Sequence, residues 1–214
     1  MSIFFKISIP LFALLTSACS AQSQPMTIRE FAERDTRSID TTVYKQVDGQ
    51  SLRMLSCKPD GWEPGQKRPA MVWIHGGGWV AGEPENMIPQ IKYSAARGAV
   101  GLAIQYRLMI PQNYKDDKAL SDAENAVARE AQRQAFLDGP SLRDCIDDCE
   151  DAIRTIRRNA DALGVDPDRI IVIGDSAGAY LAASLGTLAK GDARANAVIA
   201  CSSISDLTSG FGPD

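Results

Sequence analysis

The stretch RIIVIGDSAGAYL, Arg169–Leu181, decides the architecture of this 214-residue chain. Arg169–Ile173 is an apolar run without alternation, the pattern of a strand buried on both faces. Ala177–Ala189 is rich in Ala and Leu and stops at Lys190-Gly191, so it predicts a helix. Between them lies Gly174-Asp175-Ser176-Ala177-Gly178, too short for anything but a sharp turn. Downstream, Ala197–Ser202 predicts another strand. Upstream, Ser141–Leu163 is the clearest helix. Ser141 and Asp144 form a capping-box pattern, and Ile146, Cys149, Ile153, Ile156, Ala160 and Leu163 recur at helical steps. Gly164 closes that helix, and Asp166-Pro167-Asp168 is expected to turn the chain.

The same rhythm runs further back. Ala70–Ile74 and Ala99–Ile104 predict buried strands, and Glu85–Arg97 between them predicts a helix ended by Gly98. Thr41–Val47 and Ser51–Cys57 flank Asp48-Gly49-Gln50, a hairpin signal, and Thr27–Glu33 suits a short helix. Strands alternating with long helices imply an α/β fold. The expectation is a mostly parallel sheet with helices on both faces and an N-terminal antiparallel hairpin. One domain, 39–214, covers this pattern, behind a linker and short helix at 22–38. The insertion 107–140 breaks the rhythm. Lys118–Leu137 within it suits a helix, and it follows the strand edge where parallel sheets bind ligands. A substrate wall and a solvated surface insertion are both open readings.

Composition narrows the function. The net charge is −4 and hydrophobic residues make up 44%, ordinary for a folded protein and without a basic patch for nucleic acid. An apolar run, Ile3–Leu15, with Lys6 and then the small residues Ser17–Ala21, resembles a signal peptide over residues 1–21. Export to a periplasm or medium is therefore expected. Cys19 is an imperfect lipoprotein site, and a membrane enters only through a lipid there. Cys145 and Cys149 share a helix face without further ligands, so they read as small buried residues and no metal or cofactor is implied.

The chemistry lies at two loops. A serine on a strand–turn–helix junction is lifted above the sheet edge, which makes Ser176 the candidate nucleophile, flanked by Gly174 and Gly178. The competing reading is an N-cap serine. His75-Gly76-Gly77-Gly78-Trp79 follows the strand Ala70–Ile74, and serial glycines let main-chain N–H groups converge. The N–H groups of Gly77, Gly78 and Ala177 are the expected oxyanion donors. A flexible glycine turn is the alternative.

These motifs, with Tyr106-Arg107-Leu108, Asp148–Ala160, Gly164–Ile170 and their order, resemble the hormone-sensitive-lipase-type branch of the α/β-hydrolases, the HGGG carboxylesterases. The resemblance covers about residues 65–205. It implies a serine esterase acting on small-molecule esters, with His75 and Gly76 bracing the oxyanion loop. Cys145 with Asp148, or Cys149 with Ala152-Ile153-Arg154, resembles bacterial carbohydrate acetylesterases and implies short-chain or sugar acetyl esters. Ala179 departs from the pattern where glycine is frequent, as does the insertion after Leu108.

A serine nucleophile needs a base and an orienting carboxylate, in the order Ser, acid, His in this fold. The chain's single histidine precedes Ser176, and Asp192, Asp206 and Asp214 follow as acids. Three explanations stand: a fold incomplete at the C-terminus, a degenerate hydrolase-fold protein that binds esters or glycans, or His75 as an improvised base. Oligomeric state is not legible.

Overall fold

Residues 25–110, 115 and 117–203 are described by the computed structural model of the chain. The expected signal peptide, Cys19, Asp206 and Asp214 lie outside them. Two antiparallel strands lead, β1 (Asp40–Val47) and β2 (Gln50–Cys57). Asp48 and Gly49 join them with φ of 49° and 72°. Both left-handed values give the tight hairpin loop whose twist matches its strands. Strand β2 pairs antiparallel with β4 (Val100–Ile104). The remaining pairings, of β3 (Arg68–Ile74) with β4 and with β5 (Val165–Asp175), and of β5 with β6 (Ala197–Cys201), are parallel. The sheet order is β1-β2-β4-β3-β5-β6. Every residue of β4 is buried, as its unalternated sequence requires.

Helices cover both faces. On one, α2 (Ile88–Ala96) places Ile91 and Ala95 against Leu55, Cys57 and Ala103, with α1 (Ile28–Arg34) outside it. On the other, α4 (Leu142–Arg158) and α6 (Ala177–Thr187) enclose the larger core. There Ile153, Ile156, Leu181 and Leu185 meet Val72, Leu102, Ile104, Ile170 and Val172. Burying a side chain of this size contributes roughly 1.5–3 kcal/mol, so this layer dominates stability.

Three boundaries differ from expectation. The helix predicted over Ser141–Leu163 breaks at Asn159, and α5 (Ala160–Leu163) follows it. The Asn159 side chain donates to the Thr155 carbonyl at 2.8 Å, local competition that disfavours the helix interior. The helix predicted from Glu85 starts at Ile88 after a 3-10 turn, Pro84–Met87, and Pro89 sits in its first turn, where a missing N–H costs nothing. Asp166-Pro167-Asp168 does not end β5 but is absorbed into it. The Asp168 N–H bonds Asp166 Oδ1 at 3.0 Å, while the pairing with β3 jumps from Arg68↔Val165 to Ala70↔Ile170.

Within the insertion, α3 (Asp122–Asp138) begins at a Ser121/Glu124 capping box and buries only Asn125. Val127 is 72% and Leu137 58% exposed. No helix among the described residues is long and apolar enough to cross a membrane.

Candidate active site

Ser176 stands between β5 and α6 with φ 53° and ψ −119°, a conformation that L-residues rarely adopt. Holding a non-glycine residue there costs on the order of 1–3 kcal/mol, and such strain persists only where neighbours over-determine it. The neighbours are visible. The Ser176 N–H donates to the Cys201 carbonyl of β6 at 2.9 Å, and its own carbonyl accepts from Ala179 and Tyr180. The side chain makes no capping bond to α6. The N-cap reading therefore fails, and the hydroxyl is not consumed by the helix it precedes.

Glycines flank the turn because nothing larger fits. A Cβ on Gly178 would stand 2.6 Å from the His75 carbonyl oxygen, and one on Gly174 would stand 2.7 Å from the Ala179 nitrogen. A Cβ on Gly76 would stand 3.0 Å from the Asp175 oxygen and 3.2 Å from Ser176 Cβ. The loop after β3 thus lies directly against the serine turn.

That loop is a closed turn. Gly77, Gly78 and Trp79 have φ of 120°, 61° and 63°, and the Gly77 carbonyl accepts from Val80 and Ala81 at 3.1 and 3.0 Å. Among the described residues, no acceptor takes the N–H groups of Gly77, Gly78 or Ala177. Three main-chain donors near the serine turn are therefore uncommitted.

His75 is 1% exposed. Its Nδ1 lies 2.9 Å from the Gly76 carbonyl oxygen, and a carbonyl can only accept, so Nδ1 carries the proton. The ring stacks on Tyr106 with centroids 4.5 Å apart, and the Tyr106 hydroxyl donates to the His75 carbonyl at 3.1 Å. Burial pushes the imidazole pKa below its ordinary value, against a smaller opposing pull from the Gly76 bond. Nε2 is buried without a partner. One ring nitrogen is engaged by Gly76 and the other enclosed, and neither bonds Ser176. This geometry suits a brace for the loop and not an improvised base.

Asp175 is exposed. Cys57, Cys145 and Cys149 are buried free thiols, with Cys145 donating to the Arg107 carbonyl at 3.2 Å, while Cys201 is free and exposed. No group of metal-ligating residues occurs among the described residues.

One feature escaped the sequence reading as a unit. Asp148 is fully buried and takes Arg107 Nε at 2.8 Å, Arg107 Nη2 at 3.0 Å, the Arg107 N–H at 3.0 Å and Lys45 Nζ at 2.7 Å. Arg107 also reaches Asp48 at 2.7 Å. The hydrogen bonds to Asp148 hold the Arg107 pKa above its ordinary value. The network joins the end of β4, α4 and the hairpin just beneath Tyr106 and His75. A signal was present: Asp148 is an acid on the buried stripe of α4, between Cys145 and Ala152.

The BD-FAE family model matches residues 136–209. The carboxylesterase NlhH of Mycobacterium tuberculosis is 30% identical over 123 residues, covering 57% of this chain and 30% of that protein. The inactive carboxylesterase-like protein VdtD of Byssochlamys spectabilis is 27% identical over 148 residues, 66% of this chain and 22% of its own length. Esterase 2 of Thermogutta terrifontis, phosphonylated by cyclosarin, superposes with a TM-score of 0.59 at 31% identity, over 75% of this chain and 55% of that one. Its butyrate-bound form gives 0.57 at 32% identity, over 74% and 51%. The chain thus spans about half the length of these solved esterases and under a third of the curated relatives it matches. With its sheet order and serine turn in agreement with these solved esterases, the chain has the α/β-hydrolase fold, and over the part it spans it is similar to carboxylesterases.

Proposed function

We propose that this chain carries the nucleophile and oxyanion-binding part of a serine carboxylic-ester hydrolase. The observation that carries the reading is the Ser176 backbone. A strained left-handed turn with a free side chain, packed against a glycine loop, has no structural purpose that a glycine would not serve better. Ser176 Oγ attacks the ester carbonyl carbon while its proton passes to a base. The carbonyl oxygen becomes an oxyanion, held by the N–H groups of Gly77, Gly78 and Ala177. Losing one such donor typically costs about 3–4 kcal/mol of barrier. Collapse of the tetrahedral adduct breaks the ester C–O bond, and the alcohol leaves with the proton. Water then releases the acid from the acyl-serine. His75, the one histidine of the chain, serves the loop, and the base and its carboxylate are left unassigned.

The substrate class is short-chain esters, with acetyl groups on sugars as the narrower form. The butyrate seen in the Thermogutta esterase supports the short acyl chain. A second reading, a hydrolase-fold protein that binds esters without turning them over, draws on the enclosed His75 and on the inactive relative VdtD.

A fluorophosphonate probe and a p-nitrophenyl ester series from acetate to octanoate separate the readings. The expected result is covalent labelling of Ser176, with turnover falling as the acyl chain lengthens and both lost in Ser176→Ala. Binding of p-nitrophenyl acetate without labelling or turnover favours the second reading. Turnover that survives Ser176→Ala refutes the first.

A further inference from the structure

We infer that Trp79 is a positioning residue that fixes the direction of the Gly77 and Gly78 N–H groups, an inference that rests on the esterase reading above. Of the left-handed residues of the glycine loop, Gly77, Gly78 and Trp79, only Trp79 carries a side chain, at φ 63°. A residue used only to fill space has no reason to sit where L side chains rarely go. Its peptide and its ring are both held. The Trp79 carbonyl accepts from the Met109 N–H at 2.8 Å. Its ring meets Tyr180 edge-on, with centroids 5.8 Å apart at 90°. Trp79 Nε1 is enclosed without an acceptor, so the indole is held by its hydrocarbon surface and not by its polar atom.

The two anchors come from different elements. Tyr180 is on the first turn of α6, and its N–H bonds the Ser176 carbonyl at 3.2 Å. Met109 follows Arg107, which Asp148 locks to α4. The root of the loop is fixed separately, through Tyr106 and His75. Trp79 therefore ties the loop tip to the nucleophile's helix and to the end of β4 together. Since Gly77 and Gly78 have no side chains of their own, the tip is where their peptide planes are set. Rate falls about 10²-fold for a misplacement near 1 Å.

The test measures amide hydrogen exchange at Val80 and Ala81, whose N–H groups close the loop on Gly77, beside kcat and KM for p-nitrophenyl acetate. The proteins are wild type, Trp79→Gly, Trp79→Phe and Tyr180→Ala. Glycine suits the left-handed φ, so Trp79→Gly keeps the backbone comfortable and its bond to Met109 and removes the ring's tie to Tyr180. Exchange at both amides is expected to rise at least tenfold in Trp79→Gly and in Tyr180→Ala, with β3 amides unchanged. In the same variants kcat falls 10- to 100-fold while KM stays within threefold. Trp79→Phe, which keeps an edge-on ring and loses the enclosed N–H, restores slow exchange and kcat. Wild-type exchange in both Trp79→Gly and Tyr180→Ala overturns the inference. So does a rise in KM with kcat unchanged. If the wild type neither turns over ester nor takes the phosphonate, the esterase reading fails, and exchange still decides whether Trp79 sets the loop.

Discussion

Replacing Gly178 by alanine sets two physical effects against each other. Gly178 is the second residue of α6, and alanine in a helix is favoured over glycine by up to about 1 kcal/mol. Propensity alone therefore predicts stabilisation. The contacts predict the reverse. The new Cβ would lie 2.6 Å from the His75 oxygen and 2.8 Å from the Ile74 carbonyl carbon, with the Ile74 oxygen nearer still. All three are main-chain atoms of β3 and its following residue, so no side chain can rotate away. Restoring ordinary contact separates helix from strand by about 1 Å, and overpacking of this kind costs typically 1–3 kcal/mol. The net expectation is a loss of about 1–2 kcal/mol, a fall in the urea midpoint of roughly 0.5–1 M for m near 2 kcal/mol/M. Gly186 is the internal control. Its added Cβ would meet Val198 Cγ2 at 2.7 Å, the end of a side chain that can turn at a cost of about 0.5–1.5 kcal/mol, comparable to the propensity gain. Gly186→Ala should stay within about 0.5 kcal/mol of wild type. Urea unfolding followed by circular dichroism reads both. A Gly178→Ala variant as stable as Gly186→Ala would refute the claim that close backbone approach dictates this glycine.

Other substitutions probe the remaining parts. Ser176→Gly should be more stable than Ser176→Ala by about 1–2 kcal/mol in the same unfolding assay, because only glycine relieves the strained turn. Asp148→Ala leaves Arg107 buried without its main partner and should cost about 3–5 kcal/mol, whereas Asp148→Leu with Arg107→Met should recover a large part of the loss. Burial pushes the Cys57 thiol up to about 11 and Cys145 up to about 12, and holds Cys149 well above the ordinary thiol range. Iodoacetamide followed by peptide mapping should thus modify exposed Cys201 and spare these three in the native protein. His75 binds a proton less readily folded than unfolded, so acid favours the unfolded chain. Its contribution is complete above about pH 6.5 and is lost as pH falls toward the lowered folded value. Midpoints measured from pH 8 to 5 should decline below about 6.5 in wild type, and less so in His75→Asn.

What the sequence reveals depends on how far apart the cooperating residues lie. The strands and helices follow from patterns within ten or twenty residues, and each predicted element is present within a few positions. The boundaries that moved did so for reasons outside the hydrophobic pattern. Asn159 breaks α4 through its own amide, and β5 extends back to Val165 because Arg68 is there to pair with it. The Arg107–Asp148–Lys45 network is not legible as a unit, since its members lie 41 and 103 residues apart. The left-handed Trp79 left no trace, because a tryptophan argues against positive φ and only Met109 and Tyr180 reverse the argument.

The glycines are a different case, legible as motifs but not as causes. Gly76 is small because the Asp175 peptide and Ser176 Cβ lie against it, and Gly178 is small because Ile74 and His75 lie against it. Each motif thus supplies part of the steric reason for the other's glycine, across a gap of about a hundred residues. A loop without the serine turn could carry alanine at 76, whereas Gly178 is required by Ile74 of β3 as well as by His75. Finding both, at the ends of neighbouring parallel strands β3 and β5, is therefore stronger than two independent matches, because it reports a contact. That contact brings the uncommitted N–H groups of Gly77, Gly78 and Ala177 to the same sheet edge as the Ser176 hydroxyl, a requirement that acyl transfer imposes and stability does not.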